Sequence, residues 1–199
     1  MPDTKKNQIL QSARKCFAKV GLAKTTLDDI AVNLGMKKSS LYYYYKSKED
    51  ILSDFINTES ENLKAVLEEE MSKAGNAKNK LKSFVSTRIQ YFNEQIDLYN
   101  VPTQVILEFK PILEGCFNEF RKSQLDILEE IIKEGVAKNE FIVTSPVQTA
   151  NLILTVLEAV KFQELFYVQN IETKPVNKIT DTKQTEKIID LIINGIAKH

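Results

Sequence analysis

The 199-residue sequence predicts an all-α protein. Apolar residues recur at three- and four-residue intervals almost throughout. Glycine or proline stands where several of these runs give way to the next, and the only strand-like run, Phe141 to Thr144, is short and reads as a loop before Pro146.

About nine helices follow from the spacing. The first spans about 4–20, with Ile9, Ala13, Phe17 and Val20 on one face. Thr25 or Thr26 supplies a side-chain oxygen to cap a second helix from about Leu27, whose first turn carries Asp28 and Asp29 at the positive end of the dipole. Gly35 ends it by taking up a left-handed conformation without a Cβ penalty. A third helix covers about 38–45 and places Leu41, Tyr44 and Tyr45 on a packing face. Ser47 to Asp50 resembles a capping box with Asp in place of Glu or Gln, and opens a long fourth helix carrying Ile51, Leu52, Phe55, Ile56, Leu63, Val66 and Leu67. After a polar turn at 75–80, Leu81, Phe84, Val85, Ile89 and Phe92 mark a fifth. A short sixth begins near Pro102 and is ended or kinked by Pro111, and a long seventh runs to about Val136. The eighth covers about 146–169, and the last follows the polar segment 170–184. Residues 1–48 are expected to form one small domain and residues 49–199 a larger one.

Composition narrows the function classes. A hydrophobic share of 43% with 27% charged residues is ordinary for a globular chain. No apolar run approaches the roughly 20 residues of a membrane span, and MPDTKKNQIL holds no signal-peptide core, so a cytoplasmic protein without membrane contact is expected. Cys16 and Cys116 lie far apart on apolar helix faces and read as reduced, buried thiols. The single histidine is the terminal His199, and neither phosphate-cradling glycine loops nor metal-ligand spacings occur. Neither catalytic residues, nor metal, nor cofactor is expected.

Charge is distributed unevenly. Residues 1–48 hold ten Lys or Arg against three Asp, a net of +7; since the whole chain balances 27 basic with 27 acidic residues, the rest sums to −7. A basic head on an acidic body attracts a polyanion to one place. Within that head, helix–Gly35–helix is the layout of a helix-turn-helix. Lys38, Ser39, Tyr42 and Tyr43 fall more nearly on the face of the second helix left free, and with Lys37 and Ser40 they offer ammonium and hydroxyl groups that suit phosphates and base edges. Lys48, at the next helix start, is placed to hold a phosphate together with backbone N–H groups.

On these residues the sequence resembles the TetR family of transcriptional regulators. The resemblance is carried by Ala13, Phe17 and Gly21, by Thr26, Ile30, Ala31 and Gly35, and by Leu41, Tyr42, Tyr45, Lys48, Glu49 and Ile51, about the first quarter of the chain. It implies DNA contacts from Thr26, Lys38, Ser40, Tyr42, Tyr43 and Lys48. Lys37 and Ser39 depart from the Ser or Thr and the Gly common there, where bases are read.

The body is expected to dimerise and to hold an effector. The eighth and ninth helices are apolar on more than one side, and Leu152, Val156, Val160, Ile188, Leu191 and Ile192 are the expected contacts of a homodimeric four-helix bundle. A twofold pair of recognition helices matches a palindromic double-stranded operator with half-sites roughly 34 Å apart. Phe84, Tyr91, Phe92, Phe109, Phe117, Phe120, Phe162 and Phe166 are candidate linings for a small hydrophobic or aromatic effector, with Arg88 interrupting the apolar face and expected to snorkel or to orient a polar ligand group. The function expected is a ligand-responsive repressor released by that effector. The alternative is a DNA-bound protein that acts through a protein partner, in chromosome organisation or activation, without an inducer.

Overall fold

The computed structural model describes residues 4–94, 103–170 and 182–197. These form eight α-helices: α1 (Thr4–Val20), α2 (Leu27–Leu34), α3 (Lys38–Tyr44), α4 (Lys48–Ser72), α5 (Ala77–Glu94), α6 (Thr103–Ala137), α7 (Pro146–Asn170) and α8 (Thr182–Ile196). The chain divides into two compact units, Met1–Glu59 with Ile96–Asn118, and Ser60–Gln95 with Glu119–His199.

The first unit is built on the stripe of α1. Ile9, Leu10, Ala13, Cys16 and Phe17 are buried with Leu22, with Leu27, Ile30 and Ala31 of α2, and with Leu41, Tyr45 and Ile51. Ala31 and Ala13 supply the small side chains that close helix crossings require. The Ser12 hydroxyl, buried in the same core, donates to the Ile30 carbonyl at 3.0 Å. Burial pushes the Cys16 thiol above its usual range, which keeps it protonated. The capping box at the start of α4 forms: Asp50 N–H donates to Ser47 Oγ at 3.1 Å and Ser47 N–H to Asp50 Oδ2 at 3.0 Å. Because Ile51 is fully buried here, with Leu52 and Phe55 packed against the same core, the first turns of α4 belong to the head. The unit therefore runs on to Glu59, past the expected boundary at residue 48.

In the second unit, Leu63 and Leu67 of α4, Leu81, Phe84 and Val85 of α5, Leu128 and Ile132 of α6, Leu154 and Leu157 of α7, and Ile193 of α8 are buried. Pro111 does not end a helix, one of the two outcomes expected of it: α6 runs through it for 35 residues. A proline removes one backbone donor, and the strong helix formers Leu, Glu and Lys on either side keep the remaining ladder continuous. Two expected helices are thus one, which gives eight among the described residues.

The run from Phe141 is a loop, as expected, with one addition. Phe141 makes an isolated antiparallel bridge to Ala197, and Ile142 N–H donates to the Ile196 carbonyl at 2.8 Å. The Phe141 ring lies directly over Gly135, where a Cβ would overlap it. Glu140 accepts from the Lys78 N–H at 3.0 Å. One short loop therefore ties together the end of α6, the first turn of α5 and the end of α8.

Candidate nucleic-acid interface

The α2–α3 hairpin is fixed at both ends of α2. Thr26, extended at φ −112° and ψ 163°, accepts from the Asp29 N–H at 3.2 Å, and its own N–H donates to Asp29 Oδ2 at 2.8 Å. The Thr26 hydroxyl also donates to that carboxylate, at 2.6 Å. This hydroxyl, and then the backbone N–H, hold the Asp29 carboxyl below the usual carboxylate range. At the other end Gly35 is left-handed at φ 68° and ψ 26°, and Met36 N–H reaches back to the Ala31 carbonyl at 2.8 Å. Thr26 is exposed as expected of a DNA contact, but its hydroxyl proton is committed to the cap.

Burial along α3 follows the sequence pattern. Leu41 and the following Tyr45 are buried and Tyr44 half-buried. Lys37, Lys38, Ser39, Ser40 and Tyr42 are exposed, and Tyr43 is 80% exposed. The structure thus brings six of the eight expected contacts onto one short open segment. Lys38 is not idle on it: its Nζ binds Asp28 Oδ2 at 2.6 Å and lies 5.7 Å from the centre of the Tyr42 ring. The Asp28 hydrogen bond raises the ammonium above the usual lysine range.

Lys48 is engaged within the protein itself. Its Nζ donates to the carbonyls of Ala23 at 2.9 Å, Leu22 at 3.1 Å and Thr25 at 3.4 Å. It ties the start of α4 to the α1–α2 loop and positions the hairpin, where the sequence suggested a phosphate clamp. A second tie went unseen in the sequence. The Tyr45 hydroxyl donates to Asp54 Oδ2 at 2.6 Å, and Lys6 Nζ reaches the same oxygen at 3.3 Å. Partners nine and 48 positions away leave no local spacing signal.

The expected effector residues separate: Phe117 falls in the first unit, and Phe84, Arg88, Tyr91, Phe92 and Phe120 in the second. Arg88 does not snorkel: it is 4% exposed, its Nε donates to Gln124 Oε1 at 2.6 Å, and its guanidinium lies 4.7 Å from the centre of the Phe92 ring. Phe92 meets Phe120 edge-on at 6.0 Å and Tyr91 at 6.3 Å. Gln124, itself 2% exposed, is thus a buried acceptor for the guanidinium. Phe84 is fully buried core, and Phe117 is 41% exposed. The side chains of Phe109, Phe162 and Phe166 lie outside the described residues. A cavity of about 300 Å³ between the ends of α4, α5 and α6 is lined by Met71, Ile127 and Ile131 with Glu68, Lys80, Glu130 and Glu134, and by none of the expected ligand residues.

Of the six expected dimer residues, three are exposed and three half-buried. On α7, Leu152 is 67% exposed and Val156 is also exposed, while Ile153, Leu154 and Leu157 between them are buried. On α8, Leu191 is 74% exposed, Ile193 is buried, and Ile188 and Ile192 are half-buried, as is Val160 of α7.

Residues 9–55 match the sequence model of "Bacterial regulatory proteins, tetR family", and residues 57–195 match that of "YsiA-like protein, C-terminal region". The chain belongs to the TetR family. Among curated relatives, this TetR-family protein is 27% identical over 133 residues to the fatty acid metabolism regulator protein of Bacillus subtilis, covering 67% of this chain and 69% of the relative. It is 27% identical over 139 residues to the transcriptional repressor KstR2 of Mycolicibacterium smegmatis, covering 67% and 68%. Among solved structures, a transcriptional regulator from Cytophaga hutchinsonii superposes with a TM-score of 0.76 at 27% identity, over 98% of this chain and 100% of that one. FadR of Bacillus subtilis, solved with stearoyl-CoA, superposes at 0.76 and 22% identity, over 95% and 98%. This TetR-family protein is a DNA-binding transcriptional regulator. Among its described residues no helix is long and apolar enough to cross a membrane.

Proposed function

We propose that the protein represses transcription as a homodimer on a palindromic operator and is released by a long-chain, largely apolar effector of the fatty acyl thioester class. The observation that carries the DNA half is the open segment of α3, with Lys37, Lys38, Ser39, Ser40, Tyr42 and Tyr43 exposed together on the basic end of the chain. Lysines supply sequence-independent phosphate attraction, and the start of the helix reads base edges. Homodimerisation is supported by the large exposed side chains Leu152 and Val156 of α7 and Leu191 of α8, on the two helices whose sequence is apolar on more than one side.

The effector class is argued from the body, where residues 57–195 match the YsiA-like region and the Bacillus subtilis relative is a fatty acid metabolism regulator. Phe92, Phe120 and Tyr91 give the same unit an aromatic, apolar cluster suited to a hydrocarbon chain. Release follows by linkage: an effector that binds the DNA-incompetent state better weakens operator binding by the same coupling energy, typically about 1–3 kcal/mol. α4, which contributes to both units, is the element placed to carry it.

The test is selection of duplexes from a random pool, followed by titration of the complex with acyl-CoA of increasing chain length. Enrichment of an inverted repeat and release by long but not short chains is the expected result. Release by no acyl-CoA, with binding scattered over many sites, would instead favour a protein that acts through a protein partner.

A further inference from the structure

The Lys38–Asp28 pair is the charged contact on the open side of the hairpin, and both its members are more than half exposed, at 60% and 51%. Asp28 is not consumed by the α2 cap, which uses Thr26 and Asp29. A lysine on a free surface samples many rotamers, but this one is held between the Asp28 carboxylate at 2.6 Å and the Tyr42 ring at 5.7 Å. Two of its three donors remain for another partner.

We propose that Asp28 is a specificity-determining residue of DNA recognition, which fixes Lys38 toward a guanine edge while its own negative charge penalises attachment to phosphates in general. The inference rests on the reading of α3 as the recognition helix and deepens it. A lysine held in place with two donors left over matches the paired acceptors O6 and N7 of guanine, and no other base presents two acceptors in the major groove. The carboxylate beside it has lone pairs free to accept from an exocyclic amine, as cytosine N4 offers. Against a random duplex the same carboxylate sits near phosphates with nothing to accept from, and it keeps Lys38 from swinging to neutralise one of them. One acidic side chain on a basic surface thus lowers affinity for every duplex and lowers it least for the right one.

The experiment compares wild type, Asp28→Asn, Lys38→Gln, the double variant and Asp28→Glu. Each is taken through selection from a random duplex pool, then titrated against the best wild-type duplex and a scrambled duplex of equal composition over a range of salt. Asp28→Asn should bind the scrambled duplex several-fold more tightly and steepen its salt slope by about one unit. It should also lose roughly tenfold in discrimination at one guanine per half-site. Lys38→Gln should lose the same guanine preference, the double variant no more than either alone, and Asp28→Glu should keep it. A helix-capping role would move thermal stability but not the base preference. An unchanged sequence profile for Asp28→Asn, or losses that add in the double variant, would overturn the inference while leaving the DNA-binding reading intact. A wild type that enriches no sequence would overturn that reading itself.

Discussion

The Tyr45 hydroxyl donates to Asp54 Oδ2 at 2.6 Å and so joins the C-terminal cap of α3 to α4. Lys6 of α1 reaches the same carboxylate at 3.3 Å and lies 5.5 Å from the centre of the Tyr45 ring. Tyr45→Phe keeps the buried ring and removes only the bond. It should cost about 1–2 kcal/mol, read from urea unfolding. Affinity for all duplexes should fall together, because the orientation of α3 and not a base contact is lost. An unchanged unfolding midpoint would show the tie to be dispensable.

Lys48→Ala separates two roles for one lysine. As a tie holding three carbonyls it should lower stability by about 1–3 kcal/mol and weaken binding to every sequence. As a phosphate clamp it would leave the melting temperature alone and reduce the salt slope of DNA binding by about one unit. The expected result is the first, checked by thermal melting beside salt-dependent binding.

Two glycines on α6 make opposite predictions for the same substitution. A Cβ at Gly135 would overlap the Phe141 ring, so Gly135→Ala should destabilise by about 1–3 kcal/mol and loosen the Phe141–Ala197 bridge. Gly115 has nothing within 4 Å of a built Cβ, so Gly115→Ala should stabilise by up to about 1 kcal/mol. Calorimetry of the two variants decides it.

Leu152→Glu and Leu191→Glu introduce charge where a partner copy is expected. Either should shift the protein to monomer in sedimentation and weaken operator binding far more than single-site contacts account for, since half the phosphate and base contacts leave with the partner. A monomeric wild type would remove the basis for both.

Asp29 sets an acid limit on the hairpin. Its carboxyl lies below the usual range in the folded state because of the Thr26 hydroxyl and then the Thr26 N–H. A depressed carboxylate contributes stability above its unfolded value and loses it as pH falls through the folded one. The α2 cap should therefore weaken as pH drops below about 4, the ordinary carboxylate value. Thr26→Ala should already be weakened at neutral pH and lose less on acidification, as followed by helical circular dichroism against pH.

Local order was legible in the sequence wherever a single element decided it. Thr4 to Val20, the Thr26 cap, Gly35 and the Ser47–Asp50 box all form as their spacing indicates, because caps and stripes are set within four residues. Pro111 misled because a proline inside a helix pattern signals an end or a kink alike, and α6 continues through it despite the lost donor and the ring clash. The site was half legible. Which face of α3 opens outward follows from Leu41 and Tyr45, whereas the engagement of Lys48, Lys38 and Arg88 depends on Leu22, Asp28 and Gln124, whose nearness only the fold creates.

Four of the seven tyrosines occupy positions 42 to 45, and the chain contains no tryptophan. Intrinsic ultraviolet emission therefore originates largely beside the surface where a duplex would lie, with Tyr43 bare and Tyr45 enclosed. Quenching of that light on adding nucleic acid would give an optical readout of docking from the unlabelled polypeptide, with more than half of the emitting rings in or beside the recognition helix.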